Sequence, residues 1–135
     1  MTYTIGKLRE QYPKLTKEVN KMNKLMDEKV DAYRIGVGHM KETLPNVVDT
    51  YHNFTTQCFE ENAVSAKNKQ LIALGIALFA NNEICTYYHV GEALSQGASP
   101  SEIMDAVAVA AAVGGGHALS QGVTRVQQAI AEKLQ

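Results

Sequence analysis

The sequence predicts an all-α fold, and three observations support this prediction. Apolar residues recur at spacings of three, four and seven along the chain, as they do on one face of a helix. Helix start and stop signals separate these stretches, and the clearest are the capping sequence Ser99-Pro100-Ser101-Glu102 and the Gly114–Gly116 break. No other stretch alternates polar and apolar residues over four or more positions, as a half-buried strand does.

The N-terminal residues 1–43 are predicted to form a long amphipathic helical extension. Its helix is expected to begin near Pro13, and Gly36 and Gly38 are expected to interrupt or end it. Lys, Glu and Asn residues separate the apolar positions, so one face can pack while the other meets water. The apolar positions are Leu8, Leu15, Val19, Met22, Met26, Val30 and Tyr33.

Residues 44–135 are predicted to form the core of a single compact domain. Five helices are expected there, and the fourth of these has no charged residue between Asp105 and His117. An oligomer that buries this Ala- and Val-rich helix together with the long N-terminal helix is therefore expected. The five ranges are Pro45 to about Asn62, the Ser65 cap to Ala80, 82–96, Pro100 to about Val113, and the glycine break to about Leu134.

Composition excludes several kinds of partner and cofactor. A formal net charge of -1 with 20% charged residues leaves no basic face for nucleic acid. The longest apolar runs fall short of the roughly 20 residues that span a bilayer, and no secretory signal is visible, so a cytoplasmic protein without a membrane partner is expected. Two cysteines are too few for a disulfide framework, and the scattered histidines predict no metal or other cofactor.

A cysteine and a histidine lie one turn apart in the stretch NNEICTYYHVGEALSQG. If Asn81 or Asn82 caps this helix, Cys85 lies at its first turn, where free N–H groups and the helix dipole favour a thiolate and lower the thiol pKa. His89 is on the same face, where it can accept the thiol proton or pair with the thiolate. Spacing alone leaves a second interpretation open, in which both residues belong to the core.

Three neighbours complete the predicted site on this helix. Glu92 follows His89 by three residues and is placed to orient the imidazole. Asn82 precedes Cys85 by three residues and supplies a hydrogen-bond donor on the same stripe. Tyr88, one turn from Cys85, is expected to line a pocket or to donate a hydrogen bond.

The segment KNKQLIALGIALFANNEICTYYHVGEALSQGASPSEIMDAVAVAAAVGGG resembles the core of the carboxymuconolactone decarboxylase and AhpD-like family. The resemblance runs from about Leu44 to the C-terminus. The family pattern is a K-E-L-I-A-L helix, then C-x-x-C-x-x-x-H, then G-A-[ST], E-I-x-E-A and a glycine pair. The resemblance implies an all-helical fold that assembles as trimers or hexamers.

The resemblance also implies roles for individual residues. The attacking cysteine of the redox members falls on Cys85 and their histidine on His89, whereas the resolving cysteine falls on Asn82 and the proton-relay glutamate on Gln70. Asparagine cannot form a disulfide, and a glutamine amide cannot exchange a proton near neutral pH. The resemblance is thus that of an atypical member, in which the usual two-cysteine cycle is missing.

Three functions remain compatible with these residues. In the first, Cys85 with His89 reduces a peroxide or disulfide and an external thiol restores it, or Cys58 serves as the resolving thiol. In the second, His89 is the base of an acid-base enzyme on a small organic acid or lactone, with Gln70 and Asn82 as donors to its oxygens. In the third, the chain is a non-catalytic oligomeric binding protein.

Overall fold

The computed structural model describes residues 13–134, and this part of the chain is helical with no strands. The predicted all-α fold is therefore confirmed, while the predicted apolar position Leu8 lies outside the described residues, as do the side chains of Leu15, Val19 and Met22. The helices are α1 (Pro13–Thr43), α2 (Pro45–Phe59), α3 (Ala66–Phe79), α4 (Glu83–Ser95), α5 (Pro100–Gly114), α6 (Gly116–Gln121) and α7 (Gln127–Lys133), with a π-helical segment at Gly122–Val126 between the last two.

The first helix is longer than the sequence predicted, because Gly36 and Gly38 do not end it. A glycine inside a helix costs only about 1 kcal/mol relative to alanine, and neighbouring turns absorb that cost. The helix ends at Thr43 instead. Leu44 precedes Pro45, and the proline ring disfavours the helical conformation at the residue before it.

The core lies where α3, α4 and α5 pack against one another. Leu74 and Leu78 of α3, Val90 of α4 and Ile103 of α5 are fully buried in it. α1 contributes Met26 to the same cluster and lies across α4 and α7. Side chains from several helices, near the start and the end of the described chain, therefore hold α4 in place.

The π-helical segment divides the last predicted helix into α6 and α7. At its start, Gly122 lies directly on Val107 of α5, and an added Cβ at this position would overlap the valine methyl group. The glycine therefore allows a close approach of two helices, which a local sequence pattern does not reveal.

Side-chain caps fix the start of each central helix. The Ser65 hydroxyl accepts the Asn68 N–H at 3.2 Å at the start of α3, and the Asn82 carbonyl oxygen accepts the Cys85 N–H at 3.0 Å at the start of α4. Ser99 and Glu102 form the predicted capping box at α5. These three predicted caps are confirmed, and they set where the α4 side chains begin.

Most side chains of the second helix are exposed to solvent. Val48 is its only buried residue, while Val47, Tyr51 and Phe54 face outward, the last with 64% of its surface exposed. No helix in residues 13–134 is long and apolar enough to cross a membrane.

Candidate active site

The site is built where α2, α3 and α4 converge. α4 supplies Cys85 and His89, α3 supplies Gln70, and the last turn of α2 supplies Phe59. Gln70 is only 7% exposed and reaches His89 from a helix that the core fixes. The structure therefore brings together three of the residues that the sequence predicted and adds one that it did not.

The His89 ring is held by one edge and one face. Its Nδ1 lies 2.7 Å from the Gln70 Oε1, and because an amide oxygen only accepts, Nδ1 carries the proton and donates it. The Phe59 ring stacks on the imidazole with centroids 5.5 Å apart and an interplanar angle of 20°. Burial lowers the pKa of His89, so the ring is neutral at pH 7 and its Nε2 keeps a lone pair.

The Cys85 thiol is half-buried, and burial raises its pKa above the usual value. The predicted low thiol pKa was therefore wrong. Two physical reasons are visible. The Cys85 N–H is already bonded to the Asn82 cap, and the histidine one turn away is neutral and offers no positive charge to a thiolate.

Asn82 accepts hydrogen bonds through both its side chain and its main chain. It is exposed, its Oδ1 caps α4, and its main-chain carbonyl accepts the Thr86 hydroxyl at 2.8 Å. The amide nitrogen is not used by the cap. Asn82 therefore keeps a donor for an anionic group next to the first turn of α4.

Glu92 does not orient His89, which corrects the sequence prediction. Gln70 takes that position on Nδ1, since the α3 side chain approaches the ring edge from across the helix pair. Glu92 instead lines a cavity of about 410 Å³ between α1, α4 and α7, beside Arg34 and Tyr88. Its charge contributes to the raised pKa of Tyr88, after the larger effect of burial.

Tyr88 stands between this cavity and the histidine. Its ring meets the His89 ring edge-on, with centroids 5.2 Å apart, and nearly half of its surface is exposed. The prediction that Tyr88 lines a pocket fits this position.

Cys58 lies on the last turn of α2, next to Phe59, and its thiol is exposed and free. The Lys69 ammonium of α3 donates to the Cys58 carbonyl at 2.9 Å and also to the Glu60 carbonyl. Neither Phe59 nor Lys69 was predicted as a site residue. Nothing in the local sequence distinguishes Phe59 from an ordinary apolar residue or Lys69 from a surface lysine.

No group of three or more His, Cys, Asp or Glu side chains is arranged to hold a metal ion within the part of the chain that the structure describes. The side chains that the site brings together are a thiol, an imidazole and two amides.

Comparisons with known proteins agree with the fold. A model of the carboxymuconolactone decarboxylase family matches residues 45–128. The fold is similar to the crystal structure of apo-lpg0406, a carboxymuconolactone decarboxylase family protein from Legionella pneumophila, with a TM-score of 0.75 and 16% identity over 80% of this chain and 96% of that chain. A search of the curated proteins found no match. The resemblance seen in the sequence is confirmed: the chain belongs to the carboxymuconolactone decarboxylase family.

Proposed function

We propose that the protein is a thiol-dependent oxidoreductase that reduces small peroxides, with Cys85 as the nucleophile and His89 as its general base. One observation carries the proposal. The His89 Nδ1 is occupied by Gln70, so the free Nε2 is the basic nitrogen, on the same helix face as the thiol one turn away.

The raised thiol pKa decides how the base acts. At neutral pH the Cys85 thiol is protonated, so the thiolate is not formed before the substrate binds. His89 is neutral at the same pH and is able to take the proton during the attack. The pair therefore works as a thiol and a general base, and not as a preformed ion pair.

The reaction needs two classes of co-reactant, a hydroperoxide as oxidant and small thiols as reductant. As the Cys85 Sγ attacks the terminal oxygen of a hydroperoxide, His89 Nε2 removes the thiol proton, the S–O bond forms and the O–O bond breaks. The leaving alkoxide takes the proton back from His89 and departs as an alcohol, and Cys85 becomes a sulfenic acid. One small thiol then forms a mixed disulfide with release of water, and a second restores Cys85 and leaves as a disulfide.

The resolving thiol comes from outside the chain in this cycle, because Asn82 occupies the position of the resolving cysteine. Cys58 is the alternative resolving thiol, which requires its Cα to come within about 7 Å of that of Cys85. Non-reducing peptide mapping after peroxide treatment separates the two routes. A Cys58–Cys85 peptide supports the internal route, and a mixed disulfide with the added thiol supports the external one.

The test is oxidation of Cys85 by hydrogen peroxide, followed by mass spectrometry of the trapped sulfenic acid. The wild type should oxidise at Cys85, and His89→Ala should slow that step by about 10²–10⁴-fold. His39→Ala, at an exposed position on α1, is the matched control and should leave the rate unchanged. Equal rates in the wild type and in His89→Ala would refute the proposal.

A second function has one observation in its favour, which is the raised pKa of the Cys85 thiol. In an acid-base enzyme acting on a small organic acid or lactone, His89 Nε2 takes a proton from carbon, and the amides of Gln70 and Asn82 bind the oxygens that become negative. In this function Cys85 only packs in the site and takes no part in the reaction. Turnover that survives Cys85→Ala but is lost in His89→Ala would favour this function over the first.

We further propose that the protein works as a homo-oligomer, a trimer or a hexamer. Apolar side chains that the single chain leaves exposed support this, among them Tyr51 and Phe54 of α2 and Val113 of α5, which is 83% exposed. Phe54→Glu should dissociate the assembly in sedimentation velocity, whereas Asn53→Glu, on the same helix, should not. An assembly unchanged by Phe54→Glu would remove α2 from the interface.

A further inference from the structure

We propose that Lys69 is a positioning residue, which holds the last turn of α2 so that Phe59 stays stacked on His89. Its importance for catalysis rests on the proposed function, whereas the placement of the ring does not. The contacts of three neighbouring residues carry the inference.

The end of α2 has little apolar packing of its own. Val48, near the start of the helix, is its only buried residue, so three turns separate the buried anchor from Phe59. Phe59 is half-buried and stacks on the His89 ring. Something other than the hydrophobic core therefore has to hold this end of the helix against α3 and α4.

Lys69 supplies that attachment. The last carbonyls of a helix have no partner within it, and a lysine near the C-terminus can bind them and offset the negative end of the dipole. The Lys69 ammonium donates to the Cys58 carbonyl at 2.9 Å and to the Glu60 carbonyl, the groups on either side of Phe59. The two bonds thus clamp the backbone that carries the stacking ring.

The neighbour of Lys69 in the chain holds the other side of the same imidazole. Gln70 binds the His89 Nδ1 at 2.7 Å, so consecutive residues of α3 fix the ring edge directly and the ring face through α2. Since α3 is anchored by Leu74 and Leu78 in the core, both restraints start from a rigid element. This arrangement limits the direction in which Nε2 can point.

The test uses the ring current of Phe59, which displaces the NMR signals of the His89 ring protons. Phe59→Leu gives the full loss of that displacement. Lys69→Met, which removes the ammonium and keeps the length of the side chain, should give most of the same loss, and Lys69→Arg should restore the wild-type positions. Lys67→Met is the matched control, because Lys67 pairs with Glu102 on the other side of α3 and should leave the His89 signals in place.

A second readout follows from hydration of the ring. When α2 moves away, the His89 ring loses part of its burial, so its pKa should rise from the lowered value toward the ordinary one. Lys69 is half-buried, and its replacement leaves the core side chains intact, which a thermal melt checks.

Each outcome has a defined meaning. The role of Lys69 would be overturned if the His89 NMR signals and pKa are unchanged in Lys69→Met while the same signals shift in Phe59→Leu. Signals unchanged in Phe59→Leu would overturn the stack itself. Neither result depends on catalysis, so the inference can fail while the thiol mechanism stands, and the reverse also holds. If the proposed function is correct, Lys69→Met should lower the rate of Cys85 oxidation less than His89→Ala does.

Discussion

The helices α4 and α2 meet at the His89 ring but are attached to the protein in opposite ways. α4 has a side-chain cap at its start and four buried residues, and α1, α3 and α7 all pack on it. α2 has one buried residue, an uncapped start and an apolar face turned outward. Cys85 and His89 therefore stand on the helix that the core fixes, and the ring that stacks on His89 comes from the helix with one buried residue.

This difference suggests a division of roles between the two helices. A base or nucleophile has to be held within a fraction of an ångström, which favours a helix fixed by the core. A covering element has to exclude water and admit substrate, which favours weak packing and polar attachments. In the proposed oligomer, the exposed apolar face of α2 is where a neighbouring subunit would hold this helix in place.

The prediction with the largest expected effect compares an apolar substitution in the core beside α4 with one on α2. Leu78→Ala removes a fully buried side chain beside α4 and should lower the free energy of unfolding by about 2–5 kcal/mol. Phe54→Ala on α2 should change it by no more than about 0.5 kcal/mol in a dilute, dissociated subunit. Urea denaturation measures both. Equal losses would show that α2 is as firmly packed as the core beside α4, and a loss in Phe54→Ala that grows with protein concentration would place Phe54 in an interface.

Tyr87 tests whether α4 is stabilised at every position. It is only 6% exposed, yet its hydroxyl has no hydrogen-bond partner in the described part of the chain. Tyr87→Phe should therefore raise the free energy of unfolding by about 1 kcal/mol, whereas Tyr51→Phe on exposed α2 should leave it unchanged. A loss of stability in Tyr87→Phe would mean that the hydroxyl is bonded in solution.

The same residue gives a dependence on alkaline pH. Burial, followed by the charge of Glu83, raises the pKa of Tyr87 to about 12. Since an unfolded tyrosine ionises near pH 10, the unfolded state loses a proton first and stability should fall as the pH rises from about 10 to 12. Tyr87→Phe should remove this part of the pH dependence in denaturation curves.

Gln70→Glu tests the contact that joins α3 to α4. A carboxylate on the His89 Nδ1 favours the imidazolium, so the pKa of His89 should rise in this variant. In the wild type the lowered pKa of His89 makes the fold less stable as the pH falls below about 6.5, and this loss of stability should be absent from Gln70→Glu. NMR titration of His89 measures the change, and Gln127→Glu, exposed on α7, is the control. An unshifted His89 would show that the side chains of residues 70 and 89 are apart in solution.

The sequence predicted contacts between residues close together in the chain better than contacts between distant ones. The caps at Ser65, Asn82 and Ser99 join residues three apart, so the local sequence predicts them. The end of α1 differs from the prediction because Gly36 and Gly38 do not end the helix, which continues to Thr43 just before Pro45.

Contacts between distant residues were not readable from local patterns. The close approach of Gly122 to Val107 and the stack of Phe59 on His89 join separate helices. The spacing of Cys85 and His89 alone favoured a packed core, and only the resemblance to the family placed Gln70 in the site with them. The thiol pKa was wrong in direction because burial and the neutral state of His89 depend on that same tertiary packing.

The smallest expected effect compares the two cysteines, one on each helix. Cys58 on α2 is exposed, while the thiol of Cys85 on α4 is half-buried with a raised pKa. Iodoacetamide at pH 7.5 should therefore label Cys58 before Cys85, because each unit by which a thiol pKa rises lowers its thiolate fraction about tenfold. Peptide mass spectrometry reads the order, and Cys58→Ser isolates the slow site. The rate at that site should climb with pH in the alkaline range, since the raised pKa moves thiolate formation above its usual range. Rapid labelling of Cys85 at pH 6 that disappears in His89→Ala would instead mean a thiolate paired with an imidazolium, and α4 would then hold its nucleophile already ionised.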